Sequence, residues 1–109
     1  PPRTSLLLRA CDEGARGELW IFGDRGTLQF RDTRGTWTAV TSATRNTLRT
    51  AWNGWAVGDN GTILRYTSGW RAVESGTTED LYGVYGYLAG TVNHVFAVGA
   101  GGTILRWHE

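Results

Sequence analysis

Three segments of the chain are copies of one pattern, and this repeat restricts the possible folds more than any other feature. The segments are Trp20-Ile21-Phe22-Gly23-Asp24-Arg25-Gly26-Thr27-Leu28, then Trp55-Ala56-Val57-Gly58-Asp59-Asn60-Gly61-Thr62-Ile63-Leu64-Arg65-Tyr66, then Phe96-Ala97-Val98-Gly99-Ala100-Gly101-Gly102-Thr103-Ile104-Leu105-Arg106-Trp107. Their starts are offset by 35 and 41 residues. A second motif recurs between them, Gly35-Thr36-Trp37-Thr38-Ala39-Val40 and Gly69-Trp70-Arg71-Ala72-Val73. Each copy leads through a small polar stretch to a leucine, Leu48 or Leu81, at the same distance from its Trp; Leu6 takes that place ahead of the first core. A period of this length is the signature of stacked supersecondary units.

Each unit reads as four short strands, labelled a to d. Strand a is predicted over Leu6 to Ala10, Leu48 to Trp52 and Leu81 to Tyr85. Strand b carries the Trp/Phe-x-x-Gly core, c starts at Gly-Thr-Leu/Ile, and d starts near Trp37 or Trp70. The runs are rich in Val, Ile, Thr and aromatics and are bounded by Gly, Asn or Asp, which is strand chemistry. No stretch holds a helical period. Asn53-Gly54 between two Trp residues predicts a tight hairpin, since a type I′ turn needs positive φ at both central positions. Gly23 to Gly26 and Gly58 to Gly61 are expected to turn b into c, with the Asp24 and Asp59 side chains bonding N–H groups of their own turns.

A four-stranded antiparallel unit repeated around an axis is a propeller blade, because repetition lets each sheet bury both faces on its neighbours. The expected fold is therefore all-β. Blade 1 covers about residues 6–44, blade 2 about 45–77, and blade 3, with strands a to c only, about 78–109. That amounts to about 2.75 blades in an open arc, whereas closed propellers have about 4–8. The missing strand and neighbours are expected from a longer chain or from further copies in a ring. Sixteen glycines and thirteen aromatics among 109 residues agree with many tight turns between packed strands, and disagree with disorder.

The pattern Trp-Ala-Val-Gly-Asp-Asn-Gly-Thr-Ile-Leu-Arg-Tyr at 55–66, with Gly-Trp and Ser-Gly-Thr after it, resembles bacterial propeller repeats of the BNR or Asp-box type. It is most similar to the photosystem II assembly/stability factor-like family. The Asp-x-Gly-Thr part stands at Asp24 to Thr27 and Asp59 to Thr62, and Ala100 replaces the Asp in the third unit. The resemblance implies a non-enzymatic protein-interaction scaffold, often exported, in which the box is a structural turn.

The candidate residues follow from the repeat. Asp24, Gly26, Asp59 and Gly61 are turn residues, and Trp37 and Trp70 are packing residues. Arg65 with Tyr66, and Arg106 with Trp107, place a guanidinium beside a ring, the combination a carbohydrate lectin uses. Tyr87 and His94 flank the longest a–b connection, expected as a loop of about ten residues on the partner-binding rim. A protein partner or further copies of the chain are the first expectation, a glycan the second, and an Asp-box glycoside hydrolase fragment the third. No nucleophile or carboxylate pair marks a catalytic site, and no metal or cofactor is implied. Cys11, the sole cysteine, is expected in an apolar buried setting. Eleven basic residues, all Arg and scattered, against ten acidic ones argue against nucleic-acid binding. No apolar run reaches membrane-spanning length. The sequence itself leaves the compartment open.

Overall fold

The computed structural model describes residues 7–14 and 16–108. Leu6, and Ala15 in the first a–b connection, lie outside them. The described residues form three antiparallel sheets and no α-helix. The first sheet is β1 (Leu8–Glu13), β2 (Leu19–Gly23), β3 (Leu28–Arg31) and β4 (Trp37–Ala39). The second is β5 (Leu48–Trp52), β6 (Trp55–Gly58), β7 (Ile63–Tyr66) and β8 (Trp70–Ala72). The third has three strands, β9 (Leu81–Ala89), β10 (Val92–Gly99) and β11 (Ile104–His108). Each sheet is a meander in chain order, and β1, β5 and β9 lie side by side.

Register makes the repeat structural. Leu8, Leu48 and Leu81 pair with Gly23, Gly58 and Gly99, and a bulge follows each leucine. The residue equivalent to Leu48 is thus Leu8, two positions beyond the expected Leu6, and β1 runs on to Glu13. Between the second and third strands, Phe22 faces Leu28, Val57 faces Ile63, and Val98 faces Ile104. The joining turns are short 3-10 segments at Asp24–Gly26, Asp59–Gly61 and Ala100–Gly102. Arg25, Asn60 and Gly101 sit at φ 56°, 56° and 66°, the same left-handed conformation three times.

Two apolar clusters fill the spaces between sheets. Phe22 and Leu28 meet Leu48, Ala56 and Leu64 between the first and second. Trp55, Val57 and Ile63 meet Leu81, Val95 and Ala97 between the second and third. In β7, adjacent Ile63 and Leu64 point to opposite faces and both are buried, so the second sheet is covered on both sides. Each such side chain contributes about 1.5–3 kcal/mol by leaving water.

Among the described residues, nothing covers one face of each outer sheet. Cys11, expected to be buried, is exposed, because alternation along β1 turns it to the face with no neighbouring sheet. On the third sheet Val98 and Ile104 are exposed, although their counterparts Phe22, Val57, Leu28 and Ile63 are all buried.

The expected loop at 87–94 is instead strand. Tyr87 pairs with His94, Leu88 with Asn93 and Ala89 with Val92, leaving Gly90 and Thr91 as the turn. Alternating Tyr, Leu, Val and His is strand chemistry, and Gly90 at φ 64° supplies the reversal.

Candidate functional site

The turn aspartates are held differently from the sequence expectation. Asp24 Oδ1 accepts Arg9 Nε at 2.6 Å, and Asp59 is paired with Arg49. Arg9 and Arg49 are the bulge residues of β1 and β5, so each bulge aims a guanidinium at its own sheet's turn. Asp59 bonding holds the Arg49 guanidinium above its ordinary pKa. In the third sheet both partners change together: the bulge residue is Tyr82 and the turn residue is Ala100. The Arg49 guanidinium lies 5.2 Å from the centre of the Tyr82 ring.

The N–H groups that the aspartates leave go to the next sheet. Arg25 N–H donates to Thr47 Oγ1 at 3.4 Å, and Asn60 N–H donates to Asp80 Oδ1 at 2.9 Å. Thr47 and Asp80 immediately precede β5 and β9. Gly26 and Gly61 are needed for a separate reason. At φ 74° and 69°, a Cβ on either would run into the carbonyl oxygen of Thr44 or Thr77. Ser42 Oγ clamps the first of these crossings, donating to Gly26 O at 2.7 Å.

A cavity of about 370 Å³ opens between the first two sheets, at the end carrying the β1–β2 and β5–β6 connections. Trp20, Phe30, Tyr66 and Trp70 form its aromatic wall, and Glu13, Glu18 and Arg65 also line it. The Trp20 and Phe30 rings are 4.4 Å apart, Tyr66 is 5.3 Å from Trp20, and Trp70 meets Trp20 edge-on at 5.5 Å. Asp12 accepts the N–H groups of Asn53 and Gly54 at 3.2 and 2.9 Å, tying the second sheet's hairpin to the first sheet.

The two Arg-aromatic pairs are placed differently. Neighbours on a strand point to opposite faces, yet Arg65 and Tyr66 both line this cavity. Arg65 lies 4.8 Å from the centre of the Trp55 ring and donates to Gly54 O at 3.3 Å, and Tyr66 packs beside Trp20 and Trp70 in the aromatic wall. Trp107 turns inward, 5.6 Å from Trp55, and Arg106 turns outward to His94 Nδ1 at 3.3 Å. Tyr87 stacks on His94 with centroids 5.1 Å apart, so Arg106, Tyr87 and His94 form one group on the outer face of the third sheet. Trp70 packs against the first sheet, and Trp37 occupies the equivalent position on the uncovered face of the first sheet.

Sequence reasoning marked Asp12 and Glu13 only as the start of a longer first a–b connection, 12–17, on the rim where insertions collect, and passed over Glu18; none of the three recurs in another unit. It also passed over Arg9 and Arg49, whose signal was present: an arginine follows the leucine wherever the turn has an aspartate. Among the described residues, no group of His, Cys, Asp and Glu could hold a metal, and no helix is long and apolar enough to cross a membrane. Comparison with family models, curated proteins and solved structures returned no match.

Proposed function

We propose that the chain is a non-enzymatic interaction scaffold in which each sheet is a β-propeller blade of the BNR or Asp-box kind. The β9–β10 hairpin is its partner-binding rim. The observation that carries this reading is the tip of that hairpin, where Tyr87, Leu88 and Val92 are 52%, 64% and 37% exposed. The equivalent β5–β6 hairpin ends at Asn53-Gly54, so the extra length serves no contact that the shorter unit needs. Large apolar side chains held on a rigid ribbon in water mark a protein-binding surface.

The experiment replaces residues 87–94 by Asn-Gly, which preserves the register of Gly86 with Val95. The shortened protein is expected to keep its β-sheet circular dichroism and lose capture of its protein partner in crosslinking from the source cells. Undiminished capture refutes the assignment.

The aromatic cavity between the first two sheets supports a second reading, carbohydrate binding, with Tyr66 as stacking platform and Glu13 and Glu18 as hydroxyl acceptors. A glycan array probed with wild type and Tyr66→Ala decides it. Sugar binding lost in the variant supports the reading, and no binding by wild type refutes it.

A further inference from the structure

Register brings carboxylates and rings together in the cavity between the first two sheets. Asp12 pairs with Trp20 across β1 and β2, so their side chains share a face. Gly14 N–H donates to Glu18 O at 2.8 Å, carrying this ladder past Glu13, and Glu18, two residues before Trp20, falls on the same face. Asp12, Glu18 and Trp20 all line the cavity. Main-chain donors hold both carboxylates in place. Asp12 accepts the N–H groups of Asn53 and Gly54, and Glu18 Oε1 accepts the Arg16 N–H at 2.7 Å. None of these bonds engages Glu18 Oε2.

The aromatic wall is one packed surface and not an enclosing cage. Trp20 lies 4.4 to 5.5 Å from Phe30, Tyr66 and Trp70, and Tyr66 lies 5.3 Å from Trp70. A flat, delocalised guanidinium stacks along such a surface, whereas an ammonium is best held by rings that surround it. Two arginines also line the cavity. Arg65 donates to Asn53 O and Gly54 O at 3.4 and 3.3 Å, and Arg16 is exposed on the β1–β2 connection. The chain uses the same combination elsewhere between its sheets. The Arg49 guanidinium is paired with the Asp59 carboxylate and lies over the Tyr82 ring of the next sheet.

We propose that this cavity receives an arginine side chain of a protein partner. The aliphatic stem lies along Tyr66 and Trp20, the guanidinium stacks on the rings, and Glu18 Oε2 and Asp12 take its N–H groups. The cavity opens on the rim that carries the β9–β10 hairpin, because β1–β2, β5–β6 and β9–β10 are equivalent connections. The proposal rests on reading the chain as an interaction scaffold, and it adds the chemistry of the partner, a segment that presents an exposed arginine.

The test follows the indole N–H signals of the whole isotope-labelled chain by NMR during titration with acetyl-arginine amide. Saturable shifts of the Trp20 and Trp70 signals are expected. The citrulline amide, of the same shape without the charge, is expected to give none, and the lysine amide to bind at least about threefold more weakly. The peptide Gly-Gly-Arg-Gly-Gly is expected to bind at least as tightly as the arginine amide. Glu18→Gln keeps an oxygen for the Arg16 N–H while removing the charge. It is expected to weaken arginine binding about fivefold with an unchanged circular dichroism spectrum. Arg16→Ala is expected to bind at least as well as wild type, because it removes a competing guanidinium.

Absence of saturation, equal binding of citrulline or lysine, or equal binding by Glu18→Gln overturns the proposal. So does loss of binding in Arg16→Ala, which would mark a site for anions. Weaker binding of the peptide than of the amide overturns the partner assignment in favour of a free amino acid. A neutral sugar that shifts the same signals more strongly than arginine overturns it in favour of the carbohydrate reading. The variant lacking 87–94 is expected to bind arginine normally, so failure at the hairpin and failure at the cavity are separate results.

Discussion

Ile63 and Ile104 occupy the same position of the repeat, at 1% and 70% exposure, and substituting each by alanine isolates what a covering sheet contributes. Ile→Ala removes about three carbons, and at about 0.8 kcal/mol per buried CH2 the transfer loss for Ile63 is about 2.4 kcal/mol. The void left between Val57 and Leu81 adds a cavity cost, bringing the expected loss to about 3–4 kcal/mol, inside the observed range of about 2–5 for such truncations. At Ile104 less than a third of that surface is buried, so the expected loss is below about 1 kcal/mol. Urea denaturation followed by tryptophan fluorescence measures both. With a slope of about 1–3 kcal/mol per molar, Ile63→Ala is expected to lower the midpoint by about 1–2 M or more, and Ile104→Ala by a few tenths. Equal large losses would mean that the outer face of the third sheet is covered in solution. Equal small losses would mean that the space between the second and third sheets is not a packed core. Either result refutes the assignment of one covered and one open position.

Two further substitutions probe the contacts between elements. Gly61→Ala is expected to destabilise by about 3 kcal/mol or more, because its Cβ collides with Thr77 O, whereas Gly102→Ala is expected to cost only the roughly 1 kcal/mol of its left-handed φ; thermal melting compares them. Asp12→Ala removes the acceptor of two backbone N–H groups at Asn53 and Gly54 and is expected to cost about 1–2 kcal/mol, read as faster amide exchange at those two residues.

The strand order of the fold was legible in the sequence because it lies in local chemistry. Asn53-Gly54 names its own turn, Trp-x-x-Gly recurs, and period-2 runs of Val, Ile and aromatics cannot stay in place as helices. The first strand was misplaced by two residues because Leu6 and Leu8 belong to one run of apolar residues, and only pairing with Gly23 distinguishes them. The 87–94 segment read as a loop because its length departs from the repeat, although Tyr87, Leu88 and Val92 individually favour strand. The site was less legible. An Arg beside a ring looks the same in both units in sequence, but Arg65 and Tyr66 line one cavity whereas the pleat sends Trp107 to Trp55 and Arg106 to His94. The cavity is also lined by Asp12, Glu13 and Glu18, residues of one unit only, for whose side chains a comparison between repeats gives a place in a longer connection but no role.

The bulge-to-turn ion pair bears on how such an array can be rearranged. Arg9 with Asp24, and Arg49 with Asp59, are replaced as a pair by Tyr82 and Ala100, and Tyr82 in turn lies against Arg49 of the preceding sheet. The third unit therefore carries a mark of its position, written in two residues that differ together from those of the first two units and met by the neighbour before it. Moving the third unit into the middle would bring Tyr82 beside Arg9 and leave the array without an arginine to meet the following bulge. Units of this chain are not interchangeable tiles, and shuffling or duplicating them requires transplanting bulge and turn residues as one inherited pair.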